Sequence, residues 1–361
     1  MKKNNLFILL AISLVFTGCG NQAEEKTEEK NTQVEEKAEE KMESKVIYSS
    51  FYPIYNLTKQ IAGDKFDVKS FNSLTSESHG WEPSAKEIAE LSGSKLIFIN
   101  GAGMEEWTDA VEETVDIEMV DTSAGLDLIK ADDDHDHDHE DADHDHDHED
   151  ADHDHDHEDA DHDHDHENAD HDHDHDDADE HEHHHHHGEF DPHTWLSPLN
   201  AKAQAKVIAD KLSEIDPENK DYYMENYEKV AKELDDITNE YKEKFDKVTN
   251  KKFIVPHQAF GYVARDFGLE QIPLSSLTST DEPDAKVMKD VTDLAKAKKI
   301  KTVFFEKGGS DKAAKTIADE IGAEVAPLST MEFASQEDLD KNVTLQEIIK
   351  ENLENIYKSL A

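Results

Sequence analysis

The amino-acid sequence predicts an α/β protein with two lobes, each containing a mostly parallel sheet flanked by helices. Short β-prone runs alternate with stretches of helical spacing in both halves of the chain, a pattern typical of parallel sheets covered by helices. Between the halves, a helical pattern restarts at Asp216-Pro217 and continues to about Asp246. We therefore expect one long rigid helix to join the lobes.

The elements of the first lobe are bounded by glycine, proline or polar residues. Leu96-Ile-Phe-Ile99 is an apolar run that follows Gly93, and the helical spacing that begins at Pro53 stops at Gly63, as expected of elements separated by turns. The predicted strands of this lobe are 45–50, 66–74, 96–99 and 117–120, and its predicted helices are 53–62, 84–91, 105–113 and 198–215.

The second half of the chain repeats this alternation with fewer strand signals. Phe253-Ile-Val255 and Thr302-Val-Phe-Phe305 are short β-prone runs, and the stretches around them have helical spacing. The predicted helices of this half are 259–267, 284–297, 310–321 and 345–360. The expected divisions of the chain are a signal with its cysteine at 1–19, a disordered tether at 20–44, a first lobe at 45–215, a linking helix at 216–248 and a second lobe at 249–361.

The first twenty residues resemble a secretory signal. Two lysines precede an apolar run from Leu6 to Phe16, which is too short to cross a bilayer as a permanent helix. Cys19, the single cysteine of the chain, follows small residues, as in a bacterial lipobox whose thiol receives a lipid. The alternative is a cleaved signal with an incidental cysteine. If Cys19 carries a lipid, the polar tether that follows predicts an extracytoplasmic protein anchored to the outer face of the cell membrane.

The charge of the chain is concentrated in one segment. The formal net charge is −50, from 87 acidic and 37 basic residues, which excludes a nucleic-acid groove because phosphates would be repelled. Residues 131–187 contain 29 acidic residues and 21 histidines, including five copies of a nine-residue unit related to HDHDHEDAD. A segment without apolar core residues is predicted to be a disordered loop inserted in the first lobe.

The imidazoles of this loop predict auxiliary, low-affinity metal capture. The alternative is a solvated acidic loop without a role, expanded by replication slippage. The auxiliary metal sites are represented by His135, His137, His139, His183, His184, His185, His186 and His187.

Outside the loop the chain has three histidines, and each falls near the exit of a predicted strand or in a loop beside one. They are His79, His193 and His257, and Glu306 directly follows the strand 302–305. Ligands of open α/β sheets bind where such loops converge. Three imidazoles and one carboxylate suit a four-coordinate zinc ion, whereas manganese prefers more oxygen donors. Asp311 is the rival oxygen donor.

Five segments together resemble the solute-binding lipoproteins of zinc ABC importers, a family of metal receptors. The resemblance extends from about residue 45 to the C-terminus, and it implies a metal ion held in a cleft between the two lobes. It also implies His79, His193 and His257 as ligands, with Glu306 or water as the fourth. The segments are Ser49-Ser-Phe-Tyr-Pro53, His79-Gly-Trp-Glu-Pro-Ser84, Asn100-Gly-Ala-Gly-Met-Glu-Glu-Trp107, Asp191-Pro-His-Thr-Trp-Leu-Ser-Pro198 and Pro256-His-Gln-Ala-Phe-Gly-Tyr262.

The resulting functional prediction is a monomeric, non-enzymatic receptor that delivers Zn²⁺ to the membrane permease of an ABC importer. One alternative is a surface metal buffer or adhesin in which the histidine-rich loop is the functional part. Another is a zinc hydrolase, since three histidines with an open position also occur in such enzymes. Outside the histidine-rich loop the sequence contains no HExxH motif, nucleophile elbow or phosphate loop, which disfavours the hydrolase. Because imidazoles must be neutral to bind metal, affinity is expected to fall below about pH 6.5.

Overall fold

The computed structural model describes residues 46–131, 188–277 and 282–361. Two four-stranded parallel sheets form the two lobes, and helices flank both, which confirms the predicted fold class. The predicted signal, Cys19, the tether and the histidine-rich loop with its auxiliary ligands lie outside the described residues. No helix among the described residues is both long and apolar enough to cross a membrane.

The first sheet has the strand order β2-β1-β3-β4, and all of its pairings are parallel. Its central strand β3 has four consecutive buried residues, as expected of a strand covered by helices on both faces. The strands are β1 (Val46–Ser49), β2 (Asp67–Ser70), β3 (Leu96–Ile99) and β4 (Glu118–Asp121), and the intervening helices are α1 (Tyr52–Ala62), α2 (Ala85–Leu91) and α3 (Thr108–Glu112).

Two long helices follow the first sheet and join it to the second. Helix α4 (Pro198–Ile215) begins at Ser197, whose side-chain oxygen accepts hydrogen bonds from the Leu199 and Asn200 amides. A short 3₁₀ turn separates it from α5 (Lys220–Phe245), a 26-residue helix. This helix corresponds to the predicted rigid connector.

The second sheet repeats the topology of the first, with the order β6-β5-β7-β8 and parallel pairings throughout. Its two edge strands, β6 and β8, were not predicted from the sequence. The strands are β5 (Lys252–Val255), β6 (Glu270–Pro273), β7 (Thr302–Glu306) and β8 (Glu324–Leu328), and the helices are α6 (Gly261–Phe267), α7 (Ala285–Lys298), α8 (Lys312–Ile321), α9 (Gln336–Lys341) and α10 (Leu345–Leu360).

One hydrophobic core extends across both lobes. It contains Phe51 and Trp195 from the first lobe and Phe260 from the second, together with the inner face of the connecting helix. The rings of Phe51 and Trp195 meet edge to face, with centroids 4.9 Å apart. Because Trp195 and Phe260 closely follow His193 and His257 in the sequence, the shared core fixes the loops of these two histidines relative to one another.

Candidate metal centre

The three lone histidines meet between the lobes, but the carboxylate beside them belongs to Glu332. Nε2 of His79 lies 3.1 Å from Nε2 of His193, which lies 3.4 Å from Nε2 of His257. Oε1 of Glu332 lies 3.6 Å from Nε2 of His79, 3.4 Å from Nε2 of His193 and 3.2 Å from Nε2 of His257. We call these four side chains the nitrogen-rich group.

The donor atoms of the nitrogen-rich group have the spacing of a tetrahedron around one ion. A zinc ion bound at about 2.0–2.1 Å by four donors places neighbouring donors about 3.3 Å apart. The five separations given above lie between 3.1 and 3.6 Å, and all four donor atoms lie within 4.8 Å of one another. The arrangement can therefore accept a zinc ion with little movement of the side chains.

Glu306, expected from the sequence as the fourth donor, lies in a neighbouring group instead. It is the last residue of β7, and its Oε1 accepts a 2.5 Å hydrogen bond from the Thr330 hydroxyl. Carboxylate oxygens of Glu306, Glu77 and Glu332 lie within 4.8 Å of one another. We call these three residues the carboxylate group; Glu332 belongs to both groups.

The rival oxygen donor, Asp311, is not part of either group. It precedes helix α8, and its carboxylate forms an ion pair with Lys315 at 2.7 Å. In the structure the loop after β8, through Glu332, brings a carboxylate beside the three imidazoles, and Glu306 at the exit of β7 lies with Glu77 and Glu332.

The loop that carries Glu332 is tied to the first lobe by three hydrogen bonds. The Ser78 hydroxyl donates to the carbonyl of Glu332 at 3.0 Å, and the indole N–H of Trp195 donates to the carbonyl of Thr330 at 2.7 Å. The amide of Ala334 donates to the carbonyl of Leu74 at 2.7 Å. A second-lobe loop is therefore anchored beside the first-lobe histidines, which places Glu332 across the junction.

His193 is fully buried and is oriented by the carboxylate of Asp191. The Oδ1 atom of Asp191 lies 2.8 Å from Nδ1 of His193. It also accepts a hydrogen bond from the backbone N–H of His193 at 2.9 Å. A carboxylate that accepts Nδ1–H leaves Nε2 free for a metal and raises the basicity of the imidazole. The Asp191–His193 pair therefore presents Nε2 to the centre of the group.

A buried polar network holds the backbone on both sides of His193. The side chain of Asn100 donates to the carbonyl of Pro192 at 2.9 Å and accepts from the Thr194 hydroxyl at 2.8 Å. Glu105 in turn accepts the amides of Asn100 and Gly101, at 2.7 and 2.9 Å. Gly101 has φ +81°, and a Cβ there would overlap Asp121, so the turn requires glycine.

The stems of the histidine-rich loop lie beside this network. Lys130 and Phe190 form an antiparallel bridge, and the amide of Asp191 donates to the carbonyl of Ile129 at 2.8 Å. The hydroxyl of Tyr262, in the second lobe, donates to the carbonyl of Asp191 at 2.7 Å. The two ends of the histidine-rich loop therefore lie next to Asp191, the carboxylate that orients His193.

The two groups have opposite electrostatic character. Burial lowers the pKa of His193, but its hydrogen bonds with Asp191 and Glu332 outweigh burial and raise this pKa to about 9. Burial alone would raise the pKa of Glu332, yet the three imidazoles hold it well below its usual range. In the carboxylate group, burial and the charge of Glu332 raise the pKa of Glu77 to about 8 and also raise that of Glu306.

The sequence is similar to zinc-uptake and zinc-binding proteins over nearly its whole length. A profile of the family described as zinc-uptake complex component A, periplasmic, matches residues 47–359. The high-affinity zinc uptake system protein ZnuA of Bacillus subtilis (strain 168) is 32% identical, and the alignment covers 99% of this chain and 98% of that protein. The zinc-binding lipoprotein AdcA of Streptococcus pneumoniae (strain ATCC BAA-255 / R6) is 28% identical over 99% of this chain, which spans 61% of that longer protein.

The fold is similar to that of a solved structure as well. The laminin binding protein Lmb of Streptococcus agalactiae, described as a bifunctional protein with adhesin and metal transporting activity, superimposes with a TM-score of 0.68 and 27% sequence identity. The match covers 88% of this chain and all of that one.

Proposed function

We propose that this chain is an extracytoplasmic receptor for Zn²⁺. It belongs to the family described as zinc-uptake complex component A, periplasmic. It holds one ion between its lobes and delivers the ion to the membrane permease of an ABC importer. The observation that carries this proposal is the near-tetrahedral spacing of four donor atoms from four separate segments.

The proposed ligands are His79, His193, His257 and Glu332. Three neutral nitrogens and one carboxylate oxygen match the preference of zinc, whereas manganese and calcium prefer sites with more oxygen. His193 and Glu332 are both 0% exposed, and the other two imidazoles are almost fully covered. A bound ion would therefore be enclosed, as cargo that must not dissociate before it reaches the permease.

The same donor set argues against hydrolysis. A catalytic zinc site keeps an open position for a water molecule that attacks the substrate. Here the fourth corner of the tetrahedron is occupied by Oε1 of Glu332, so we propose a receptor without enzymatic activity. Lipid attachment at Cys19 would keep this receptor at the membrane surface beside its permease.

Titration of the purified chain with zinc, in competition with a chelator that suppresses weak sites, tests the receptor function. We expect one tight site in the full chain and its loss when His79, His193 and His257 are all replaced by alanine. Cells that carry the triple variant should fail to grow under zinc chelation, while cells with the unchanged chain grow. Retention of tight binding by the triple variant, or ester hydrolysis that depends on zinc and His257, would contradict the proposal.

A further inference from the structure

We propose that the carboxylate group is an oxygen-only cation position through which Zn²⁺ passes on its way into and out of the nitrogen-rich group. The inference rests on the proposed receptor function and adds to it a route for the ion. Three carboxylates within 4.8 Å of one another form a binding position for a divalent cation that is still partly hydrated, because hard oxygen donors replace water with little preference among such ions.

The side chain of Glu332 is a buried carboxylate whose contacts with the three imidazoles, at 3.2–3.6 Å, leave room for a cation beside it. It is 0% exposed, and neither of its carboxylate oxygens has a hydrogen-bond partner of normal geometry. A buried carboxylate without such partners is strongly destabilised unless positive charge is nearby. Since Glu332 belongs to both groups, a cation on either side would satisfy it, and an ion could move between the groups without leaving this carboxylate.

A cavity connects the carboxylate group to the outside of the protein. Its volume is about 340 Å³, and its wall includes Glu77, Glu306, His257 and the exposed Glu282. The described wall does not include His79, His193 or Glu332. An ion that enters by this cavity therefore meets the half-buried Glu77 and Glu306 and one imidazole, His257, before it reaches the three remaining donors.

Both outer carboxylates are held in place by contacts that leave them beside Glu332. Oε1 of Glu77 accepts the amides of Ser78 and His79, at 2.8 and 3.3 Å. Oε1 of Glu306 accepts the Thr330 hydroxyl. Glu77 is thus fixed to the turn that carries the first imidazole, and Glu306 to the loop that carries Glu332. Fixed oxygens next to the final ligands lower the barrier for exchange, because water on the ion is replaced stepwise rather than all at once.

A transit position changes rates rather than affinity, and this sets the test. Zinc association and dissociation can be followed in the full chain by stopped-flow tryptophan fluorescence, since the rings of Trp195 and His193 lie 5.4 Å apart. In the double variant Glu77→Gln/Glu306→Gln we expect kon and koff to fall together by about tenfold, while Kd changes by less than about threefold. The retained Kd also shows that the variant is folded.

The matched control is Glu90→Gln/Glu225→Gln, which removes the same charge from exposed helix positions and should leave both rates unchanged. Unchanged rates in the test variant would overturn the inference. An equal loss of kon in the control would also overturn it, because it would show that the carboxylates act only through long-range attraction of the zinc ion. A weaker Kd caused by faster dissociation would make Glu77 or Glu306 a ligand of the final site. Absence of tight zinc binding in the unchanged chain would instead refute the receptor function itself.

Discussion

The nitrogen-rich group and the carboxylate group share Glu332 but differ in donors, burial and access. The first presents three imidazoles and one carboxylate oxygen at tetrahedral spacing, and its members are almost fully buried. The second presents three carboxylates, two of which line the cavity. The comparison teaches that one buried glutamate can belong to two clusters of different donor chemistry, to which we assign the holding and the receiving of the ion. The predictions below would sharpen or break that division.

The largest expected effect is the loss of an imidazole. Four ligands share a zinc binding free energy of about 10–16 kcal/mol, so His193→Ala is expected to weaken zinc binding by on the order of a hundredfold to a thousandfold. A chelator competition assay measures the change. His79→Ala, nearer the surface, should have an effect of the same order without the cavity left by a fully buried ring.

The matched control for both alanine variants is His183→Ala, since His183 lies in the histidine-rich loop and the substitution is the same. It should leave the tight site unchanged. Equal Kd values for the three variants and the unchanged chain would break the distinction between the central histidines and those of the loop.

Replacing glutamate by glutamine at the exits of two neighbouring strands distinguishes the nitrogen-rich group from the carboxylate group by zinc affinity. Glu332→Gln removes the charge beside all three imidazoles and is expected to weaken zinc binding on the order of a hundredfold, whereas Glu306→Gln should weaken it by no more than about threefold. Calorimetry with chelator present measures both. The reverse ranking would restore Glu306, the donor expected from the sequence, as the fourth ligand.

Asp191→Asn should have an intermediate effect. The amide can still occupy the same space, but it removes the charge that stabilises Nδ1–H of His193, and loss of such a partner weakens metal affinity by about 10–100-fold. Zinc affinity is measured as above, with the exposed Asp210→Asn on helix α4 as the control. A Kd within the error of the unchanged chain would show that Asp191 does not orient the imidazole.

The pH dependence should extend to higher pH than the sequence suggests. Because hydrogen bonds with Asp191 and Glu332 raise the pKa of His193 to about 9, its imidazole is protonated at pH 7 in the zinc-free protein. Zinc must displace that proton, so affinity should rise by about tenfold per pH unit between pH 7 and 9 and level off above pH 9. Glu332, whose pKa is lowered, releases no proton in this range.

Proton release can be counted by calorimetry in buffers that differ in ionisation enthalpy. Burial and Glu332 raise the pKa of Glu77 to about 8, so Glu77 is a second source of protons beside His193. The variant Glu77→Gln separates the two sources, because proton release that persists in this variant comes from His193. A flat affinity between pH 7 and 9 would contradict the protonation state inferred for the zinc-free site.

Most of the fold follows from the local sequence pattern. Residues 96–99 are uniformly apolar and form the central strand as predicted, and the pattern after Pro217 forms the long helix. The missed strands are the two edges of the second sheet, and both contain a proline, Pro273 and Pro327. A proline lowers the strand signal because it cannot donate to the ladder, although edge strands tolerate it.

The missed edge strand explains why Glu332 was not predicted as a candidate donor. The three histidines could be found because so few histidines lie outside the loop and each lies near a strand exit. Glu332 lies four residues after the end of β8, so the same rule would have selected it had that strand been predicted. Its burial and its contacts with the first lobe depend on long-range packing, for which the sequence offers no periodic signal.

The most direct measurement of the central claim is an anomalous difference map, recorded at the zinc edge, from crystals of the zinc-loaded chain. The account predicts one strong peak between the lobes, about 2.0–2.2 Å from Nε2 of His79, His193 and His257 and from an oxygen of Glu332. A strong peak bound by Glu77 and Glu306 without the imidazoles, or no peak between the lobes, would contradict it.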